Sequence, residues 1–308
     1  MSTPGSKGLR MTITSGMLAL GGVIGWLWPI SWASLDWVRI ILLSAPLLWI
    51  PVAVVAGGAL VPISVRQLRL FFPAALLFAF AFLLPPGQAA GICTLPWLLL
   101  ALWLAFRAAM ELLKRKEYTL PYLCATASYL FLIVGAVWAT ADRLEIQFFA
   151  FDPVIGLLTA VHFHFAGFLL LLITGLALRN WHSPLAPVVG WMAILGPPLV
   201  AIGIFTTHYG GPQVVELLAA TIMALGGIGV AGRHLQLGLQ RKTARLYMLP
   251  GALLLLAGMG LALLYGWRSE YPMALLSIPW MYAVHGSVNA GALALLAAGW
   301  LNESEKEK

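Results

Sequence analysis

Of 308 residues, 61% are apolar and 9% are charged, against roughly a quarter charged in an ordinary soluble domain. A water-soluble fold cannot bury that much apolar surface, so soluble enzyme and binding-module classes are excluded. The net charge of +7 does not point to nucleic acid, because no soluble domain is present to carry a basic face.

The solvent that suits this chain is a lipid bilayer, where the backbone must satisfy its own hydrogen bonds. The apolar runs are about 20 residues long, as a helix needs to cross hydrocarbon, and lack the alternation of barrel strands. In chain order they predict spans at 11–29, 36–56, 70–84, 93–111, 120–141, 153–178, 187–206, 213–235, 246–267 and 276–299, the third being the shortest. The expected fold is all-α, a polytopic transmembrane bundle of about ten spanning helices. It forms a single integral membrane domain over 1–308, with mostly apolar helices over about 1–145 and a polar cluster over about 146–300.

Ten spans place successive loops on alternate sides. Fifteen of the 18 basic residues then share one side, and Arg39, Arg143 and Arg268 lie on the other. The positive-inside rule makes the first side, with both termini, cytoplasmic, as for a multi-pass protein of a bacterial inner membrane. The run after Lys7 and Arg10, ending near Ser31-Trp32-Ala33, also has the elements of a cleaved signal peptide, although it is rich in Gly and Trp. Its loss would leave the orientation of the other spans unchanged.

Several features read as scaffold. Trp32, Trp37, Trp97, Trp181, Trp267, Trp280 and Trp300 fall near span ends, as interfacial anchors do. Gly21-Gly22 and Gly226-Gly227 suit close helix packing. Pro85-Pro86 and Pro197-Pro198 read as turns or kinks. Cys93 and Cys124 fall near opposite faces, which argues against a disulfide. His182 and His234, beside Arg179 and Arg233, read as interfacial.

The polar residues gather in the second half. In span six Asp152 precedes Pro153, a cap followed by a first-turn proline. At 1.5 Å per residue, His162 then lies about 13 Å and His164 about 16 Å below the start of the helix. In span ten, which runs in the same direction, His285 lies about 13 Å deep, with Asn289 one turn below it on the same face. Tyr282 stands just above. Near the outer surface, Thr206, His208 and Glu216 flank the loop between spans seven and eight and, with Asp152, form the upper wall of a pocket open to the outside. Ionisable groups in a membrane usually face the bundle interior or a water-filled cavity. His162 and His164 are about 200° apart around a helix, so only one of them points into a simple pocket.

These residues resemble the YndJ-like family of bacterial membrane proteins. The resemblance rests on Phe163-His164-Phe165 within the His162–Gly167 run and on His285-Gly286 followed by Asn289-Ala290, over roughly residues 150–300. It implies a bacterial inner-membrane protein, draws attention to the same histidines and supplies no reaction. His162-Phe163-His164-Phe165 is also similar to the haem-bearing helix of haem–copper oxidase subunit I, but a second ligand helix and the copper-binding histidines are not recognisable.

Three functions stay open. The first is an enzyme acting on a lipophilic small molecule by isomerisation, cyclisation or hydration. Its catalytic set is His162, His164 and His285 with Glu216 or Asp152 as acid, its substrate contacts Asn289, Tyr282, Thr206 and His208. A metal assisting such chemistry is allowed by the histidines and specified by nothing. The second is a transporter of a small solute, against which no charged residue stands at mid-membrane in any span. The third is a haem- or metal-binding protein. Cofactor, substrate and oligomeric state are not legible in the sequence.

Overall fold

The computed structural model describes residues 36–268, 276–277 and 280–304, and every regular element among them is helical. The 11–29 span, its Gly21-Gly22 pair, Trp32 and the 31–33 motif lie outside the described residues. Eight described helices are long and apolar enough to cross a membrane. They are α1 Trp37–Ala59, α4 Gln88–Leu113, α5 Leu120–Arg143, α6 Pro153–Leu178, α7 Leu185–His208, α8 Gln213–Gln240, α9 Arg245–Gly266 and α10 Met281–Ser304. Two short helices, α2 Val65–Leu68 and α3 Phe71–Ala81, lie between α1 and α4. The chain is therefore a polytopic helical bundle, as its composition requires.

The 70–84 run has a specific form. Its helix α3 has 11 residues, about 16 Å, roughly half the hydrocarbon thickness. Gly57, near the end of α1, sits against Leu172 late in α6, whereas Phe82 packs beneath the Arg143 guanidinium at the end of α5. Residues 60–82 thus run from one end of the bundle towards the other, and only their second half is a long helix. Ser64 and Gln67 cap the break reciprocally: the Ser64 N–H donates to Gln67 Oε1 at 2.8 Å, and the Gln67 N–H to Ser64 Oγ at 3.3 Å.

From α4 onward successive long helices pack as antiparallel neighbours, and α6 is enclosed by α1, α5, α7 and α10. Small residues permit this. A Cβ on Gly226 would meet Met192 Cβ at 2.9 Å, and one on Gly227 would meet Met259 Sδ at 2.3 Å, so this pair seats α8 against α7 on one side and α9 on the other. Pro85-Pro86 lies in the turn before α4, while Pro197 and Pro198 sit inside α7. Cys93 and Cys124 are free and lie near opposite ends of the antiparallel pair α4–α5.

Three helices widen into π turns, at Ala45–Trp49 of α1, Phe163–Leu170 of α6 and Met281–His285 of α10. Pro46, which has no N–H to give, accounts for the first. The wide turns of α1 and α6 touch, α1 also touches that of α10, and α10 touches that of α6, so all three gather in one region. Such turns are enriched at functional sites.

Candidate intramembrane histidine site

Asp152 Oδ1 accepts the Val154 N–H at 2.9 Å and starts α6. From that cap the helical rise sets the depth of both histidines, and packing sets their surroundings. His164 is fully buried. The Trp97 indole N–H donates to its Nε2 at 3.0 Å, and its Nδ1 donates to the Ala160 carbonyl at 2.8 Å. The indole is only a donor, so Nε2 is the bare nitrogen and Nδ1 carries the proton. Phe78 closes the other side, and the absence of a side chain at Gly135 makes room for the ring, since a Cβ there would stand 2.6 Å from Nδ1. His164 is a neutral strut with both nitrogens engaged.

His162 points elsewhere. Its Nε2 is buried and finds no hydrogen-bond partner among the described residues. The Pro197 carbonyl lies beside its ring, and His285 stands within electrostatic reach. The two helices expected to carry these imidazoles at one depth thus set them within electrostatic reach of one another. His285 is held firmly, with Nδ1–H donating 2.9 Å to the Gly258 carbonyl and the Asn289 amide nitrogen 3.1 Å from Nε2. Asn289 is one turn below His285, as expected, and its Oδ1 is a second buried polar atom without a partner among the described residues. Gly258 has two uses here: its carbonyl fixes the His285 tautomer, and a Cβ in its place would stand 2.1 Å from Asn289 Oδ1. On the α1 side, the Trp37 indole donates to Ser287 Oγ at 2.8 Å, and Ser287 bonds the Ala283 carbonyl.

The remaining expected residues separate from this pair. Glu216, buried in the first turn of α8, forms an ion pair with Arg268 at 2.8 Å. Asp152 is an exposed cap. Thr206 donates to the Ile202 carbonyl on its own helix at 2.8 Å. His208 is exposed, its ring 4.4 Å from that of Phe151 in an aromatic group with Phe205 and Tyr209. Tyr282 is partly buried against the core. Among the described residues, no three His, Cys, Asp or Glu side chains come together as a metal-binding group. His164 Nε2, which a haem iron would need, is occupied by Trp97.

Two readings of the sequence are corrected. His234 does not face lipid or water: it is fully buried, takes the Trp300 indole N–H on Nε2 at 2.9 Å and gives Nδ1–H to the Val230 carbonyl at 2.8 Å. Trp97 and Trp300 are accordingly buried donors to histidine and not lipid-facing anchors. In both clamps the histidine also bonds the carbonyl four residues back. That i−4 acceptor was readable from the sequence; the tryptophans, more than sixty residues away, were not.

A bundle of apolar helices around half-buried His162 and His285 defines a multi-pass membrane protein. The chain belongs to the YndJ-like protein family, whose profile matches residues 39–293, well beyond the 150–300 stretch that carries the resemblance. It is similar to an uncharacterized membrane protein, YndJ, of Bacillus subtilis (strain 168), with 26% identity over 238 residues, 76% of this chain and 42% of that protein. The chain therefore spans less than half the length of this relative. No solved structure matches it.

Proposed function

We propose that His162, His285 and Asn289 form an acid–base site within the membrane that acts on a lipophilic small molecule. The observation that carries this reading is the buried His162 Nε2, without a partner among the described residues and within electrostatic reach of a second imidazole that is fixed in place. An unused polar atom at this depth is a liability unless something binds it. With the Pro197 carbonyl beside the ring as an acceptor for the one proton of a neutral imidazole, the other nitrogen offers a lone pair, which makes His162 the base. His285, with its proton committed to Gly258, orients the pair. Glu216 and Asp152 are engaged elsewhere, so the imidazolium of His162 must return the proton it removes. A proton taken from one atom and delivered to another of the same molecule is an isomerisation or a cyclisation, and either closes without a co-reactant. The charge asymmetry of the two ends supports a cytoplasmic-membrane protein with its basic end and both termini inside.

The test compares organic extracts of cells and medium from a strain producing wild-type protein, His162→Ala, His285→Ala or Asp152→Asn, by chromatography and mass spectrometry. A compound that depends on the wild type and on Asp152→Asn but is lost in both histidine variants is expected. Identical extracts from all four strains, with the variants folded, would refute the reading. A second reading, transport, is favoured by the broken path at residues 57–70 and by Pro197-Pro198 beside His162. It would appear in the same experiment as unchanged compounds redistributed between cells and medium.

A further inference from the structure

At the other end of α8 from Glu216, a charge is buried without a counter-charge bonded to it among the described residues. Arg233 is 9% exposed and lies about 30 Å along the helix from Gln213, the depth at which a spanning helix leaves hydrocarbon. One terminal nitrogen donates to the Asn180 carbonyl at 2.8 Å, and the guanidinium stands 5.7 Å from the Trp181 ring centre. Its Nε is buried without a partner among the described residues, and none of their carboxylates pairs with it.

The other charges buried among the described residues, Arg143 and Glu216, are handled differently, as is half-buried Arg241. Arg143 pairs with Asp142 at 2.7 Å, Arg268 with Glu216, and Arg241 with Glu303 at 2.9 Å. Arg233 instead has Arg241 within electrostatic reach, which adds positive charge. His234, the next residue, is locked between Trp300 and Val230 and contributes no negative group.

Arg241 is itself neutralised by Glu303, so what remains is a buried guanidinium with no carboxylate bonded to it among the described residues, which is unfavourable unless an anion joins it. The geometry specifies that anion's character. A planar donor fork with an unsatisfied Nε suits tetrahedral or carboxylate oxygens, and its level, flanked by Trp181 and by the Trp300 ring under Arg241, is where phospholipid phosphates lie. We propose that Arg233 anchors a phosphate-binding site at the basic end of the bundle, between α8 and the α6–α7 turn, occupied by the phosphate of an anionic phospholipid. This site is separate from the histidine pair and independent of the function proposed for it.

The test uses the full chain in a neutral detergent. Native mass spectrometry titrates phosphatidylglycerol, phosphatidylcholine and inorganic phosphate against wild type, Arg233→Gln, Arg233→Lys and Arg66→Gln, the last removing an exposed charge as a control. Wild type is expected to bind phosphatidylglycerol about tenfold more tightly than Arg233→Gln, with Arg233→Lys between them and Arg66→Gln within about twofold of wild type. Phosphatidylglycerol binding displaced by millimolar inorganic phosphate would assign the site to phosphate from either source, and resistance to displacement to the lipid. Equal binding of phosphatidylglycerol and phosphatidylcholine by wild type would overturn the proposal. So would equal losses in Arg66→Gln and Arg233→Gln. If Arg233→Gln does not fold, the comparison of Arg233→Lys with wild type decides: unchanged affinity refutes the site.

Discussion

His162 and His164 stand two residues apart on α6 in opposite circumstances. His164 is a finished structural element: it gives one proton, accepts another and fills the space left by Gly135. His162, on the other face, has a buried nitrogen with no described partner and a second imidazole nearby. The arrangement around His164 recurs at the other end of the molecule. Trp300 and His234 repeat it bond for bond, joining α10 to α8 as Trp97 and His164 join α4 to α6. Burial alone thus does not mark a functional histidine in a membrane. An unsatisfied nitrogen does, because a polar atom with no partner is costly in a medium without water.

The comparison can be broken at several points. The largest expected effect is His164→Ala, which leaves a cavity and an indole N–H without an acceptor and destabilises the protein by about 3–5 kcal/mol, measured by unfolding in detergent. Trp97→Phe and Trp300→Phe each leave one histidine nitrogen unpaired and are expected to cost about 1–3 kcal/mol in the same assay. Closely similar losses would establish the two clamps as equivalent, and a large difference would show that only one supports the fold. The smallest effect belongs to His162→Leu. Removing a polar atom that has no partner should change stability by less than about 1 kcal/mol in either direction, while abolishing the wild-type-dependent compound. A loss as large as that of His164→Ala would mean that His162 is structural after all.

Much of this was legible beforehand. Apolar run lengths located all eight long described helices: five agree with their predicted spans within three residues at both ends, while α4 begins five residues early, α8 ends five residues late and α10 is shifted by five residues at each end. Helical rise placed His162 and His285 at one depth, and Asn289 proved to be one turn below His285. Glu216 turned to Arg268, a residue that had served only to orient the chain, and Asp152 remained a cap. Tryptophans near span ends were read as anchors because that is their usual place in a bilayer. Trp97 and Trp300 differ because each meets a histidine on another helix, and no local pattern carries that information.

The sequence by itself determined the solvent and the long helices, because run length and composition carry both, and through a fixed rise per residue it offered a depth for each polar group. Only the tertiary structure decided which imidazole is satisfied and which is left open. That depends on the rotation of each helix about its axis and on partners such as Trp97, Gly258 and Pro197, which packing brings together from distant parts of the chain.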